Sequence, residues 1–413
     1  MWLRDMLLVQ PAPFMRKGRY ARHTRRGAIT LWQGQKVILH NDIGVSARQE
    51  SDKLDPAMRE LPITSTHTRL RTYLAAGYAL LIVYASLSPF TGWQEQGLEF
   101  SAVLAEPLLL HYTWVDVVAN LSAYLPFGLL LGLMLDVRFG AGRSTLLATL
   151  GGVALSATME YAQMYLPLRT SSNLDLLSNS AGALAGALLA ASIAPRAWFA
   201  LHLKHWRMRL FHTDARRDFG LALVALWMFA QINPSLPMLG NVFISEAARL
   251  PFAVMQPEPF KLVESVAVAL NLLMMGMLLL TLLRHRRDAV IMLVLILCAV
   301  ALAKFVAAAV LLKSWALLLW LNSEAMLGTF AGVLLLAAAG RLPRARLLFI
   351  AMCVALAYLS LAHGLLDSGA PSSAMRLYHW HYGHLLTYNG LSQTVALVFP
   401  FLMLGYLWRI RNR

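Results

Sequence analysis

The sequence predicts an all-α fold, a polytopic membrane helical bundle, on the basis of three observations. The chain of 413 residues is 58% hydrophobic and only 14% charged, which is typical of a membrane protein. From about residue 70 onwards, long apolar stretches alternate with short basic connections. Two parts of the chain also resemble each other at a nearly constant offset. We therefore predict about ten transmembrane helices, arranged as a parallel internal repeat of four helices plus two C-terminal helices.

Ten segments are long and apolar enough to be predicted as spans. A spanning helix needs about 20 mostly apolar residues, because the hydrocarbon core is roughly 30 Å thick and each residue rises about 1.5 Å. The predicted spans cover residues 72–90, 115–135, 144–166, 174–195, 219–237, 262–283, 289–312, 314–340, 345–366 and 386–408.

These spans divide the chain into five predicted parts. They are a basic cytoplasmic tail over residues 1–68, a four-helix membrane domain over 69–196, a cytoplasmic linker over 197–217, a degenerate four-helix repeat over 218–341, and two C-terminal transmembrane helices over 342–413. The tail contains 11 Lys or Arg and no sustained helical periodicity, so we expect it to be disordered or to dock on anionic lipid. Alternatively, the natural chain starts downstream, for instance at Met58, and the tail has no function.

The distribution of basic residues predicts the orientation of the spans. If the N-terminus is cytoplasmic, 19 Lys or Arg from residue 69 onwards lie on the cytoplasmic side and five on the opposite side. By the positive-inside rule, we expect a multi-pass protein of the inner (cytoplasmic) membrane with both termini in the cytoplasm. The formal net charge of +15 does not indicate a nucleic-acid partner, because the cations are scattered between apolar runs rather than gathered on one face.

Three pairs of segments predict the internal repeat. They are "YASLSPF" at 84–90 with "FAQINPS" at 229–235, Asp116 and Gly128 with Glu264 and Gly276, and "GALAG" at 182–186 with "GTFAG" at 328–332. Because four spans separate the copies, both enter the membrane in the same direction and the repeat is parallel. The glycine pairs are packing positions first, since small residues let helix backbones approach closely.

Seven polar residues are predicted to lie near the outer surface of the first four spans. They are Asp116, Asn120, Glu160, Gln163, Arg169, Asp175 and Asn179. Residues three or four apart share one helix face, and charges inside a bilayer are costly, so we expect the helices to turn these faces toward one another. This predicts an acidic, outward-open, ligand-binding pocket with Arg169 over it. The alternative is that the residues serve as helix caps and interhelical hydrogen bonds.

At these residues the sequence resembles the VanZ-like family, over about residues 70–195. The matching pattern is Asp116-xxx-Asn120, "LPFG" at 125–128, Glu160-xx-Gln163, Arg169, and Asp175-xxx-Asn179 with Gly182 and Gly186. The resemblance implies a four-span membrane domain of the cell envelope, whose founding member is associated with resistance to glycopeptide antibiotics, chiefly teicoplanin. It also implies that the seven polar residues above are the family's polar positions.

The second copy departs from this pattern. Glu264 occupies the position of Asp116, but Val268 replaces Asn120. Lys304 and Glu324 are additional charges, which we expect to form a neutralising pair, with a proton relay or ligand contact as the alternative. The second half is therefore predicted to be a degenerate copy whose site, if it has one, uses different chemistry.

These features favour a protein that binds a cell-wall, lipid-linked or glycopeptide-type ligand in an outward-facing pocket, in envelope biogenesis or antibiotic resistance. A transporter or lipid flippase is an alternative, because of the parallel repeat and the intramembrane Lys304 and Glu324. An intramembrane acid/base enzyme, with Glu160 beside Asp116 and Asp175, is a second alternative. We lean against an enzyme because the sequence contains no established catalytic motif.

The expected partners are the lipid bilayer and this ligand, without a cofactor or metal. Three histidines occur in "YHWHYGH" at 378–384, but they do not form a clear zinc ligand set, and the aromatic residues between them are typical of a membrane interface.

Overall fold

The computed structural model describes residues 69–107, 114–193, 197–240, 244, 260–365, 375–379 and 383–411. The predicted basic tail, residues 1–68, lies outside the described residues. Within the described ranges the chain is helical and contains no strand, which confirms the all-α class. The helices are α1 (Leu70–Leu87), α2 (Phe100–Ala105), α3 (Trp114–Phe139), α4 (Ala141–Gln163), α5 (Asn173–Ile193), α6 (Ala197–Leu210), α7 (Ala215–Gln231), α8 (Leu262–Leu282), α9 (Ala289–Leu311), α10 (Ser323–Ala339), α11 (Arg344–Leu365) and α12 (Gly383–Arg411).

A helix occurs at each of the ten predicted spans, and seven of these helices are long and apolar enough to cross a membrane. The seven lie in α1, α3, α5, α8, α9, α11 and α12. Of the other three, α4 is less apolar, α7 is shorter, and α10 is apolar but has 17 residues. The chain is thus a multi-pass helical membrane protein, while the number of ten spans stays a prediction. The predicted linker over 197–217 contains a further helix, α6.

The outer surface of the bundle carries many large apolar side chains. Leu150, Leu188, Phe330 and Phe349 are 53%, 54%, 64% and 66% exposed. Soluble monomers rarely expose contiguous apolar surface, because water disfavours it. Hydrocarbon around the helices removes this cost, so the surface fits a lipid environment.

The central helix of the second half is α8. Within α8, 83% of the residues of an 18-residue apolar window are buried, and its side chains form the largest core cluster among the described residues, together with those of α7, α9, α10, α11 and α12. A helix that is apolar all round needs other elements on every side. The second half is therefore built around α8.

Glycines bring two pairs of helices into close contact. A Cβ at Gly128 would overlap the Ala183 carbonyl oxygen, and a Cβ at Gly186 would overlap the Leu125 carbonyl oxygen, so α3 and α5 touch along their backbones. The same type of contact joins α8 and α10, where a Cβ at Gly328 would overlap the Ser265 carbonyl oxygen. These contacts are those of small-xxx-small helix pairs.

The α1, α7 and α12 helices connect the two halves of the chain. The Asp218 side chain, in the first turn of α7, accepts a hydrogen bond from the backbone N–H of Arg69 at 2.7 Å and forms an ion pair with Arg207 of α6. Near the other end of the bundle, the Tyr84 hydroxyl of α1 and the Thr394 hydroxyl of α12 share a hydrogen bond of 2.8 Å. These contacts fix α1 against the second half.

We expect Gly186→Ala to destabilise the protein, because the added methyl group collides with the α3 backbone and cannot be accommodated by moving a side chain. Overpacking of this kind costs on the order of 1–3 kcal/mol. The matched control is Gly77→Ala in α1, where a Cβ meets no atom within 4 Å and the better helix propensity of alanine stabilises by up to about 1 kcal/mol. Thermal unfolding of the protein in detergent measures both. Equal melting temperatures for the two variants would contradict the close packing.

Candidate functional site

The candidate site lies where the ends of three helices meet. The first turns of α3 and α5 and the last turn of α4 lie at the same end of the bundle, because α3 and α5 run in one direction and α4 runs between them in the other. Polar residues in these turns are therefore brought together by the close packing of α3 on α5.

The first contact in the site joins α3 to α5. The Asn120 side chain donates a hydrogen bond from Nδ2 to Oδ1 of Asp175 at 2.7 Å. Both side chains are half-buried. One residue of each predicted polar pair on these helices therefore contacts the other helix.

The carboxylate of Glu160 is the most enclosed charge in the site, since the residue is only 4% exposed. Its Oε2 accepts hydrogen bonds from the Ser172 backbone N–H at 2.9 Å and from the Ser171 hydroxyl at 3.1 Å. Ser172 directly precedes α5, whose N-terminal end is the positive end of the helix dipole and stabilises a nearby negative charge. Asp175 lies close enough to act on Glu160 by electrostatic repulsion.

Two buried oxygens in the site have no hydrogen-bond partner among the described residues. Nδ2 of Asn179 donates to the Ser156 hydroxyl of α4 at 3.0 Å, whereas Oδ1 of Asn179 accepts no hydrogen bond. The hydroxyl of Tyr124 lies near Ser156 and Glu160, but its geometry gives no hydrogen bond. Because a buried polar atom without a partner costs roughly 1–3 kcal/mol, these two atoms are suited to contact a further polar group.

Arg169 does not lie over the acidic groups, which corrects the predicted pocket. Its guanidinium donates to the carbonyl oxygens of Ser88 at 2.8 Å and Ala85 at 3.2 Å, and to the Thr387 hydroxyl of α12 at 2.9 Å. The physical reason is that the last carbonyls of α1 have no partner within the helix and attract a cation. Burial lowers the pKa of Arg169.

Gln163 and Asp116 also lie at this end of the bundle. Nε2 of Gln163 donates to the Ser86 carbonyl oxygen of α1 at 3.0 Å, so Gln163, like Arg169, contacts the end of α1. Asp116 is half-buried in the first turn of α3, one helical turn before Asn120. We define the polar cluster as the residues that meet between α3, α4 and α5, namely Asn120, Tyr124, Ser156, Glu160, Asp175 and Asn179.

Sequence reasoning did not identify Tyr124 and the serines Ser156, Ser171 and Ser172. A usable signal was present for two of them, because Tyr124 follows Asn120 by four residues and Ser156 precedes Glu160 by four, so each shares a helix face with a predicted site residue. The serines at 171 and 172 lie in the connection between α4 and α5, where helical spacing gives no information.

In the second half, the predicted pair of Lys304 and Glu324 is wrong. Lys304 is only 1% exposed and donates from Nζ to the carbonyl oxygens of Gln231 at 2.9 Å and Asn233 at 2.6 Å. Glu324 instead accepts a hydrogen bond from the Lys261 backbone N–H at 3.2 Å. The carbonyls after the last turn of α7 satisfy the buried ammonium group, because they lack partners within the helix.

Glu264, in the first turn of α8, lies 3.7 Å from the Lys261 ammonium group. Its surroundings differ from those of Asp116, because α3, which carries Asp116, packs against the polar pair Asp175 and Asn179 of α5.

A separate buried network was not predicted. Nδ2 of Asn233 donates to Oδ1 of Asn389 at 2.8 Å, and the Tyr378 hydroxyl donates to the same oxygen at 2.9 Å. These residues connect the end of α7 to α12.

Among the described residues, no group of three or more His, Cys, Asp or Glu side chains could hold a metal ion. Cys298 and Cys353 are both free and exposed. The stretch 380–382 of the histidine-containing segment lies outside the described residues.

The comparison with protein families confirms the predicted resemblance for the first part of the chain. Residues 62–194 match the model of the VanZ/LLP1 family. This range contains α1 to α5 and the whole polar cluster. The chain has no match among the curated proteins and none among the solved structures.

We expect the hydrogen bond between Asn120 and Asp175 to stabilise the contact of α3 with α5. Interhelical hydrogen bonds in membranes contribute about 0.6 kcal/mol on average and up to about 1.7 kcal/mol. A double-mutant cycle with Asn120→Ala and Asp175→Ala, measured by unfolding in detergent, should give a coupling energy in that range. A control cycle of Asn120→Ala with Asp136→Asn, at the opposite end of α3, should give none. Strictly additive effects of Asn120→Ala and Asp175→Ala would contradict the contact.

Proposed function

We propose that the VanZ-like part of the chain, residues 62–194, binds a ligand of the cell envelope through the polar cluster. The single observation that carries the proposal is the convergence of polar side chains from α3, α4 and α5 within an otherwise apolar bundle. Polar groups inside a membrane are costly and are usually retained for function. A helix-packing role alone would require fewer such groups.

The two oxygens without partners support a ligand rather than a purely structural role. A structural network usually satisfies its own donors and acceptors. Tyr124 and Asn179 each keep one buried oxygen without a partner among the described residues, and both residues lie close to Ser156. A ligand that reaches these atoms would gain hydrogen bonds that the protein itself leaves unmade.

The chemistry of the cluster favours a ligand that donates hydrogen bonds. Glu160 and Asp175 are acceptors when ionised, and Arg169 is engaged by α1 and α12 instead of balancing their charge. Sugar hydroxyls, amide N–H groups and ammonium groups therefore suit the cluster better than phosphates do. Cell-wall precursors and glycopeptide-type molecules carry such groups, which is the ligand class that we propose for a role in envelope biogenesis or antibiotic resistance.

The proposed orientation directs the cluster toward the outside of the cell. By the positive-inside rule, the basic residues favour a cytoplasmic location for the start of α1 and for the end of α12. The cluster lies at the opposite ends of these helices, because Arg169 beside it contacts the end of α1 and the start of α12. A ligand would then enter from the outer leaflet or the space beyond it.

If the proposal holds, the wild-type protein protects cells treated with teicoplanin, and we expect Asp175→Asn and Glu160→Gln to abolish this protection. Both changes keep the size of the side chain and remove its charge, so the loss of a charged hydrogen bond should weaken binding by roughly tenfold or more. Survival curves of cells that carry either variant measure the effect, and binding of teicoplanin to the purified protein, followed by calorimetry, provides the direct measurement.

The matched control is Asp136→Asn, which makes the same chemical change at the other end of α3, roughly 30 Å from Asp116. This variant should behave like the wild type. Immunoblots of isolated membranes must show equal amounts of all variants. Wild-type survival and wild-type binding of both cluster variants would refute the proposed function.

A further inference from the structure

A group of basic side chains surrounds a cavity at the end of the bundle opposite to the polar cluster. Two contacts of α12 mark the two ends of the bundle. Thr387, near its start, contacts Arg169, and the carbonyl oxygen of Ile410, near its end, accepts a hydrogen bond from Arg344 at 3.4 Å. At about 1.5 Å per residue these two positions lie roughly 35 Å apart, which is close to the thickness of a membrane core. The two regions are therefore separate in the molecule.

This cavity has a volume of about 200 Å³ and lies between α7, α8 and α11. We define the basic pocket by its basic lining residues, which are His212, Arg217, Arg284, Arg286 and Arg344. Two adjoining cavities of about 330 and 460 Å³ also include Arg344 in their walls. Arg344 thus lines all three cavities, which we call together the furrow.

The chain holds the basic pocket in place by backbone hydrogen bonds. The N–H of His212 donates to the Leu282 carbonyl oxygen at 3.0 Å, and the N–H of Arg284 donates to the Leu210 carbonyl oxygen at 3.0 Å. This short antiparallel pairing fixes the connection before α7 against the end of α8. The pairing places His212 and Arg284 on neighbouring backbone segments.

Negative charge is scarce around the basic pocket. Asp214 lies 3.1 Å from Arg217 and is the acidic residue that faces the pocket from the connection before α7. Arg284 and Arg286 instead donate to the carbonyl oxygens of Phe211 at 3.1 Å and Leu342 at 2.6 Å. Each guanidinium has five N–H donors, so several remain for an anion. The N-terminal end of α11 adds a positive dipole end at this place, whereas Asp214 caps the N-terminal end of α7 by accepting from the backbone N–H groups of Arg216 and Arg217.

Besides further charged and polar side chains, the walls of the furrow include apolar side chains that reach the outer surface of the bundle. Leu347 and Leu348 line the basic pocket, and Phe349 and Met352 line the largest adjoining cavity. Phe349 is 66% exposed on the surface that faces lipid. A ligand that has a phosphate at one end and an acyl chain at the other matches this combination better than a free phosphate ion does.

We propose that the basic pocket binds the phosphate of an anionic phospholipid, with an acyl chain along Phe349 and Met352. Arginine is suited to this role because its planar guanidinium matches phosphate geometry. Basic pockets between membrane helices are physically favourable sites for lipid headgroups. The site lies outside residues 62–194 and is independent of the function proposed for the polar cluster.

The electrostatics at His212 provide one test. Burial and the nearby Arg217, Arg284 and Arg344 lower the pKa of His212 from 6.5, while Asp214 acts in the opposite direction. The unfolded chain then binds more protons than the folded protein just below pH 6.5, so stability falls as the pH falls through this range. A bound phosphate favours the protonated imidazole and should reduce the fall. His212→Gln should remove this contribution to the pH dependence of stability and the effect of the lipid on it.

The main experiment measures the binding of defined lipids to the full-length purified protein. We expect phosphatidylglycerol to raise the melting temperature in detergent and to remain bound in native mass spectrometry, whereas phosphatidylcholine and inorganic phosphate should have little effect. Arg284→Gln and Arg344→Gln should each weaken phosphatidylglycerol binding by roughly tenfold. The control is Arg287→Gln, since Arg287 is 84% exposed and lies 3.7 Å from Asp288; this variant should bind like the wild type.

Three outcomes would overturn the proposal. If phosphatidylglycerol and phosphatidylcholine raised the melting temperature equally, the pocket would not distinguish an anionic from a zwitterionic headgroup. A shift by inorganic phosphate without a shift by phosphatidylglycerol would assign the pocket to a soluble anion. Equal losses in Arg287→Gln and Arg344→Gln would reduce the effect to overall positive charge. If Arg344→Gln does not fold, Arg344→Lys and Arg284→Gln are compared with Arg287→Gln instead. The lysine in Arg344→Lys keeps the positive charge but lacks the planar guanidinium that contacts phosphate.

Discussion

The close backbone contact between α3 and α5 is the constraint on which the first half of the chain depends. Glycines at 128, 182 and 186 allow the two helices to touch without intervening side chains. Because the helices run in the same direction, this contact also sets the distance between their first turns. The hydrogen bond from Asn120 to Asp175 is thus a product of helix packing. The distances between the polar side chains of the cluster are therefore set by the glycine-mediated packing of the helices and not by flexible loops. A ligand bound there would contact groups at fixed distances.

The sequence allowed the main features of the fold to be predicted because they depend on local patterns. Apolar stretches of sufficient length gave the positions of the helices, and residue spacing gave the polar faces of α3, α4 and α5. The facing of Asn120 and Asp175 followed from this spacing. The number of membrane crossings could not be predicted as clearly from the apolar stretches, because α7 and α10 have only 17 residues each and a span needs about 20.

The partners of long cationic side chains could not be predicted from spacing. Arg169 and Lys304 were expected to interact with acidic groups, but both bind backbone carbonyls at helix ends. Every helix has such carbonyls, whatever its sequence, so no residue pattern marks them. A carbonyl group also accepts a hydrogen bond from a buried cation without requiring a second buried charge. The serines at 171 and 172 were missed for a related reason, because the Ser172 contact with Glu160 uses a backbone N–H.

The two cation contacts occupy equivalent positions if the chain is divided as the repeat predicts. In the aligned segments, Ser86 corresponds to Gln231 and Ser88 to Asn233. The Ser86 and Ser88 carbonyls accept from Gln163 and Arg169, and the Gln231 and Asn233 carbonyls accept from Lys304. Glycine-mediated contacts of α3 with α5 and of α8 with α10 give a second correspondence. The internal repeat stays a prediction, and this equivalence supports it.

The position of α12 has a consequence for how the protein is made. Its first turns contact both halves, through Thr387 with Arg169 and through Asn389 with Asn233. The ribosome synthesises α12 after Arg169 and Asn233, because both residues precede it in the chain. Until α12 arrives, Arg169 and Asn233 lack these partners, so each half emerges with one polar contact incomplete. Docking of α12 therefore completes a polar contact in each half in one step, in addition to the contact that α1 already makes with α7 through Arg69 and Asp218.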